Sequence, residues 1–366
     1  MRRRLMFACL TFTVAHVMAA PEVILASDPL TSMHCSSHSS GQLIVSGATI
    51  SSMNIAGGGS HLYQSAFNPL TWSGGLKKLP LMRANDSDTS ALVAEWDAAE
   101  LLTGTARFPA KPEAGARRIY TAKMNAELSL SMIPFSWDHL PVVQKAMLNT
   151  SPMDGVDDQL GEKRLDYLRG DRRNELSQAG GIFRSRDRVL GAIVHGTPVF
   201  VGSPSNNVQG AEYREFHDAN KTRRPTVYAG SSDGMLHAFD VMTGEELFAY
   251  IPHALFDRLA KLTVPDDAYR PYVDGAITVA EARVGKQWRS VLVSGMGGGA
   301  QGVFALDVTV PEKFEQGAGV LWEFTDADDP DIGNVFGPIA IAKFKVSVVK
   351  GCLLYTSDAA DDSLRV

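Results

Sequence analysis

Apolar residues in this chain come mostly in short runs separated by glycine, proline, asparagine, aspartate and serine. Residues 43–47, 61–67, 75–81 and 118–122 have this pattern. Short apolar runs between turn-forming residues predict β-strands. Residues 91–101 predict a further strand or the start of a helix. Most of the chain is therefore expected to be β-structure.

The clearest unit lies at residues 227–252, which predict three strands joined by two tight turns. Asp233 and Gly234 tolerate the positive φ angles of a type I′ hairpin turn. The second turn spans residues 240–244, where Asp240 can accept hydrogen bonds from backbone amides. Three strands bury little apolar surface alone, so such units usually stack radially as propeller blades.

A second copy of this pattern follows at residues 290–295, 302–309 and 320–324. The sequence His237-Ala238-Phe239-Asp240 corresponds to Phe304-Ala305-Leu306-Asp307, which indicates an internal repeat. The predicted fold class is therefore all-β: an incomplete β-propeller with large loops between its blades.

Residues 138–190 have a different pattern, which predicts a small helical insertion against the β body. Apolar residues recur there at helical spacing in two stretches: Val142, Val143, Ala146 and Met147, then Leu160, Leu165 and Leu168.

The first residues predict an export signal. Arg2 to Arg4 form a basic region, and residues 5–14 are an apolar run too short to span a bilayer. Small residues then allow cleavage after Ala19, so residues 1–19 are predicted to be a signal peptide and residues 20–42 a flexible leader. The mature protein is expected outside the cytoplasm, and no later run is long enough for a transmembrane helix.

The last residues predict a segment that is foreign to the protein. Residues 352–362 resemble the in-frame translation of a sequencing adapter, and the character of the chain changes abruptly after residues 343–349. We therefore expect residues 43–350 to form the partial propeller and residues 351–366 to be a non-native tail. A genuine polar C-terminal tail is the alternative.

Charge and cysteine content narrow the possible functions. The net charge of −6 gives no general affinity for nucleic acid. Of the three cysteines, Cys9 lies in the predicted signal peptide and Cys352 in the predicted tail. Only Cys35 remains, so the mature region has no predicted internal disulfide.

Several ordered motifs resemble those of the PilY/PilC-type family of type IV pilus assembly proteins and tip-associated adhesins, in its C-terminal propeller region. The resemblance covers roughly residues 62–344. The chain departs from the family pattern at Ala192 and Gly196, where the family usually has Asp and Ser. The family's N-terminal half and final blades are also not found in this sequence. The motifs that carry it are Tyr63–Phe67 with Trp72–Leu76, Ile133–Leu140, Leu168–Asp171, Phe183–Arg186 with Leu190–His195, Tyr228–Gly244 and Phe304–Thr309.

This resemblance implies an exported, non-enzymatic protein of pilus assembly or extension, or an adhesin at the pilus tip. It implies minor pilins and a host or abiotic surface as partners. The implied location is the periplasm, the outer-membrane surface or the pilus tip.

Two other functions remain open, because residues 227–244 also resemble the blades of pyrroloquinoline-quinone dehydrogenases. Those enzymes hold their cofactor with Ca²⁺ and a catalytic aspartate on the propeller axis, and no such set of residues is assignable here. The second alternative is a periplasmic scaffold for the assembly of envelope proteins.

One loop is a candidate calcium site. Its oxygen-bearing side chains alternate on a turning segment, which is the kind of arrangement that hard cations bind. Pro330 and the lack of a glutamate at position twelve depart from the EF-hand pattern, and the same residues are good turn formers. Both interpretations stay open for these residues, which are Asp326, Asp328, Asp329, Asp331 and Asn334.

The remaining chemically active side chains predict structural roles. The glycine run at 295–302 predicts a wide hairpin loop, because a strand follows it where a phosphate-binding loop needs a helix. His195 and His237 are expected to be packed in β-structure or hydrogen-bonded to the backbone. Ser231 and Ser232 lack the context of a nucleophile. Four tryptophans are expected to pack blades: Trp72, Trp96, Trp288 and Trp322.

Overall fold

The computed structural model describes residues 43–50, 61–81, 93–127, 129–206, 208, 210–265, 268–342, 345–349 and 352–356. The chain divides into the units Met1–Ser40 and Gly41–Val366, and all described residues lie in the second. The predicted signal peptide and leader, and residues 357–366 of the predicted tail, lie outside the described residues.

The first sheet confirms the strand predictions near the start of the described region. Its four strands are antiparallel neighbours in chain order. Residues 91–101 hold both a strand end and a helix, because Asp97 Oδ1 accepts a hydrogen bond from Ala99 N at 3.0 Å and caps helix α1, Ala98–Thr103. The strands are β1 (Ile44–Ile50), β2 (His61–Phe67), β3 (Gly74–Pro80) and β4 (Trp96–Asp97).

The second sheet contains the predicted three-strand unit and extends it on both sides. Its order is β6-β5-β10-β9-β8-β7, with β5 parallel to β10 and the other pairs antiparallel. Every residue of β8, β9 and β10 is buried. The strands are β5 (Ile119–Met124), β6 (Leu130–Pro134), β7 (Val199–Val201), β8 (Thr226–Gly230), β9 (Leu236–Asp240) and β10 (Glu246–Ile251).

The third sheet confirms the predicted repeat and adds one strand before it. Its four strands are antiparallel neighbours in chain order. Asp240 and Asp307 end equivalent strands of the two repeats, and each accepts a hydrogen bond from the backbone two residues ahead. This turn explains the repeated aspartate. The strands are β11 (Ile277–Val284), β12 (Gln287–Gly295), β13 (Gly302–Asp307) and β14 (Val320–Thr325).

A separate hairpin pairs β15 (Lys345–Val349) with β16 (Cys352–Thr356). The second strand falls in the predicted tail, whose assignment stays a prediction.

The helical insertion is shorter than predicted. Helix α2 (Val142–Asn149) and helix α3 (Gly161–Leu168) form, but the described residues 169–190 contain no helix. Val142 and Val143 do not belong to a buried helix face as their spacing suggested, because their exposed fractions are 82% and 65%. Helix α4, Ala211–Asn220, was not predicted. A 3₁₀ helix spans His253–Thr263.

Aromatic and aliphatic side chains between the sheets form the core. Phe248 of β10 stacks on Phe314 with the ring centroids 3.9 Å apart. A second cluster joins the first sheet to the blade, where Trp96 Nε1 donates to Val241 O at 3.0 Å. The burial of these rings is the main stabilising contribution of such packing.

A chain of buried charges crosses the second sheet. Arg117 donates to both carboxylate oxygens of Glu246, at 2.7 and 2.8 Å. Glu246 Oε1 lies 2.7 Å from His237 Nδ1, and His237 Nε2 lies 3.1 Å from Asp233 Oδ1. The side chains of Arg117, Glu246 and His237 are at most 2% exposed. We call Arg117, Glu246, His237 and Asp233 the buried charge chain.

Each charge in this chain fixes the ionisation of its neighbour. Burial would lower the pKa of His237, but the charges and hydrogen bonds of Asp233 and Glu246 raise it to about 9. Burial would raise the pKa of Glu246, but the Arg117 guanidinium and His237 lower it to about 2. The histidine is therefore a cation and the glutamate an anion at neutral pH.

Removing one member of the chain should strongly destabilise the fold. Arg117→Met leaves Glu246 buried without its bidentate partner, and we expect a loss of roughly 3–5 kcal/mol in the free energy of unfolding. Urea denaturation of the two proteins measures this loss. The matched control is Arg214→Met on the exposed surface of α4, which should change the value by less than about 0.5 kcal/mol. Equal effects of the two substitutions would contradict the expectation.

The same chain predicts how stability depends on pH. The pKa of His237 is about 9 in the folded protein and 6.5 in its unperturbed form, so its contribution is complete below pH 6.5 and is lost as the pH rises through 9. The contribution of Glu246 is complete above its ordinary pKa of 4.5 and is lost as the pH falls through 2. Urea denaturation across pH 3–10 should lose roughly 3 kcal/mol on the alkaline side. In His237→Gln, the free energy of unfolding should fall much less at alkaline pH. An unchanged fall would show that His237 does not cause it.

Candidate ligand cleft

An open cleft of about 650 Å³ lies where the first sheet, the blade turn and the segment after α3 meet. Five separate parts of the chain supply its lining: the turn at 71–73, the end of α3 at 167–168, residues 184–191, the blade turn at 232–233, and a last stretch with residues 261–262 and 268–272.

One wall of the cleft is a stacked pair of aromatic rings. The centroids of Trp72 and Tyr269 are 4.1 Å apart, with 24° between the ring planes. Trp72 has a positive φ of 55°, which is uncommon for a bulky residue. Hydrogen bonds from Trp72 N to Asn68 O and from Ala192 N to Trp72 O hold this conformation. Trp72 therefore faces the cleft rather than only packing a blade.

Tyr269 brings an unused hydroxyl to this wall. Its Oη is buried and has no hydrogen-bond partner among the described residues. Burial, together with the nearby Asp274 carboxylate, raises the pKa of Tyr269. The hydroxyl therefore stays protonated at neutral pH.

The floor of the cleft rests on the buried charge chain. Gly191 N donates to Asp233 Oδ2 at 3.0 Å, and Ser232 N donates to Ala192 O at 2.9 Å. A Cβ at Gly191 would lie 2.5 Å from Asp233 N. Only glycine allows the two backbones to approach this closely.

The rim of the cleft is cationic. Five basic side chains line it, against one acidic side chain, Asp233, which His237 already neutralises. Arg184 Nη2 donates to Thr71 O at 2.8 Å, and Lys261 makes no ion pair within the described part of the chain. The basic residues are Arg184, Arg186, Arg188, Lys261 and Arg270.

Two of these arginines are held by acidic partners. Arg186 pairs with Glu175 at 2.8 Å, and its guanidinium lies 3.7 Å from the centre of the Tyr167 ring. Arg188 pairs with Asp97 at 2.8 Å. The excess positive charge of the rim therefore resides with Arg184 and Lys261.

The two histidines differ from each other. His237 is buried, as expected, although carboxylates on both ring nitrogens hold it rather than packing alone. His195 is not packed as predicted: its side chain is 58% exposed, and Nδ1 lies 2.6 Å from Asp274 Oδ2. The edge of its ring contacts Phe336.

The candidate calcium residues lie on an exposed turn after β14. Asp328 Oδ2 accepts a hydrogen bond from Thr325 N at 2.9 Å, and Asp329 Oδ1 accepts one from Asp331 N at 3.0 Å. Asn334 Nδ2 donates to Gly297 O, and Asp326 is also exposed. Among the described residues, no three His, Cys, Asp or Glu side chains are grouped to hold a metal ion. Calcium binding there stays a prediction.

The glycine run forms the predicted hairpin loop between β12 and β13. A Cβ at Gly299 would lie 1.8 Å from Tyr272 O, and Gly297 has a φ of 54°. Close backbone packing therefore explains these glycines. Trp96 is buried and Trp288 meets the ring of Tyr213, whereas Trp322 is 43% exposed.

Comparison with known proteins agrees with the sheet pattern. The family model described as the PilY1 beta-propeller domain matches residues 190–346. The type IV pilus biogenesis factor PilY1 of Pseudomonas aeruginosa is 35% identical over 309 residues, which cover 79% of this chain and 25% of the relative. The chain belongs to the PilY1-type family. Its fold class is thus an all-β, propeller-type fold.

Two further PilY1-type proteins extend this comparison. A PilY1 homolog of Xylella fastidiosa is 40% identical over 189 residues, which cover 50% of this chain and 15% of that relative. The crystal structure of the P. aeruginosa PilY1 C-terminal domain matches with 36% identity and a TM-score of 0.29, over 40% of this chain and 28% of that one. The chain spans about a quarter of the length of the P. aeruginosa relative. Within the described residues, no helix is long and apolar enough to cross a membrane.

Sequence reasoning did not find this cleft, although one signal for it was present. Arg184, Arg186 and Arg188 alternate along an irregular, non-helical segment, and side chains two residues apart in an extended segment lie on the same side. Lys261 and Tyr269 have no comparable local signal.

The close approach at the cleft floor gives a test of its geometry. Gly191→Ala should lower the free energy of unfolding by roughly 1–3 kcal/mol, because the new methyl group meets backbone that cannot move away easily. Thermal unfolding followed by circular dichroism measures the change. Gly333→Ala is the control, since a Cβ there meets nothing within 4 Å. A Gly191→Ala protein as stable as the control would show that the floor is looser than described.

Proposed function

We propose that this chain is part of an exported type IV pilus biogenesis factor that acts by binding and not by catalysis. The proposal rests on one observation: a relative named type IV pilus biogenesis factor matches 79% of the chain at 35% identity. The PilY1 beta-propeller match at residues 190–346 supports it.

The proposed mechanism is the presentation of a rigid surface. Buried strands β8, β9 and β10 support loops and clefts whose positions the buried charge chain fixes. We propose minor pilins as partners during pilus assembly and a host or abiotic surface as the target of an adhesive role. The corresponding location is the periplasm, the outer-membrane surface or the pilus tip.

Deletion of the gene in its own bacterium tests the pilus role. We expect loss of surface pili, seen by electron microscopy, and loss of twitching motility. Complementation with the full gene should restore both. The gene encoding Arg214→Met should also restore them, whereas Arg117→Met should fail because its product is expected to be unstable. Normal piliation in the deletion strain would refute the proposed function.

A separate measurement addresses the dehydrogenase alternative. The purified full chain is incubated with pyrroloquinoline quinone and Ca²⁺, then with alcohol or sugar substrates and a redox dye. We expect no dye reduction above that of the heat-denatured chain. Sustained turnover would overturn the non-catalytic part of the proposal.

A further inference from the structure

We propose that the cleft between Trp72 and Lys261 binds an acidic saccharide, with a sugar ring against the aromatic wall and a carboxylate toward the cationic rim. This assignment names a ligand class for the adhesive role proposed above and rests on it. Three independent properties of the lining support it: its flat apolar wall, its many hydroxyl groups and its charge.

The stacked aromatic pair leaves part of its apolar surface uncovered in the cleft. Trp72 and Tyr269 stack at 4.1 Å, and both side chains are only partly buried in the ligand-free cleft. One face of a sugar ring carries mainly C–H bonds, so it can remove this aromatic surface from water by packing against it.

The lining is rich in hydroxyl groups. Hydroxyls both donate and accept hydrogen bonds, and therefore match the hydroxyls of a sugar in either direction. Six lining residues carry a hydroxyl: Thr71, Ser73, Tyr167, Ser232, Tyr269 and Tyr272.

The charge of the rim selects an acidic ligand. Arginine and lysine hold carboxylates by charge-assisted hydrogen bonds. Arg184 has one recorded hydrogen bond, to Thr71 O, so it retains other N–H donors. Lys261 is exposed and forms no ion pair in the described part of the chain. Since His237 neutralises Asp233, the floor does not cancel this charge.

Isothermal titration of the purified full chain with trigalacturonate and with neutral galactotriose tests the assignment. We expect trigalacturonate to bind at least about tenfold more tightly, because only its carboxylates reach the cationic rim.

Two matched lysine variants test whether binding depends on the cleft or only on the overall charge of the protein. Lys261→Gln should weaken trigalacturonate binding about fivefold, whereas Lys286→Gln, on the exposed turn between β11 and β12, should leave it unchanged. Equal binding of the two saccharides, or equal effects of the two lysine variants, would overturn the proposal. Binding of triglutamate as tight as that of trigalacturonate would also overturn it, because the site would then recognise any polyanion.

Failure of the saccharide assignment can be distinguished from failure of the proposed pilus role. If the gene is needed for pili but trigalacturonate does not bind, only the ligand assignment fails. If trigalacturonate binds as expected but the deletion strain makes normal pili, the pilus role fails instead.

Discussion

The buried charge chain is the constraint on which the position of the other elements depends. Arg117 precedes β5, His237 lies in β9 and Glu246 opens β10, so the buried charge chain joins β5 to two strands that lie more than 100 residues later in the sequence. Its last member, Asp233, holds the backbone of Gly191 at the floor of the cleft. A buried charge that loses its partner costs several kcal/mol, so these strands cannot shift independently. The buried charge chain therefore also fixes the position of the cleft floor.

Arginines extend this constraint to the irregular segment after α3. Arg117 Nη1 donates to Arg169 O at 2.8 Å, and Arg169 Nη2 donates back to Arg117 O at 2.7 Å. Arg186 donates to Tyr167 O and Asp171 O. Guanidinium groups offer five donors in a fixed plane, which lets one side chain satisfy several backbone carbonyls. The segment is therefore ordered without helices, and its outer side chains form one edge of the cleft.

The sequence predicted the local parts of this fold and missed the non-local ones. The strands of the blade at residues 227–252 could be read because alternation and turn residues such as Asp233 and Gly234 are local signals. The parallel pairing of β5 with β10 could not, since its partners are about 130 residues apart: Ile119 pairs with Ala249. Strand β11 was missed because most of its residues are only partly buried, which weakens the pattern.

The cleft residues escaped prediction for the same reason, because they come from five separate segments of the chain. Two local costs coincide on its wall: the positive φ of Trp72 and the unpartnered hydroxyl of its stacked neighbour Tyr269. A glycine at position 72 would relieve the first cost, and a phenylalanine at position 269 would relieve the second. Neither feature improves packing in the free protein. Unfavourable features of this kind persist where the surrounding structure imposes them and cluster at binding sites. Their coincidence beside a cationic rim is therefore better explained by a ligand than by the stability of the fold.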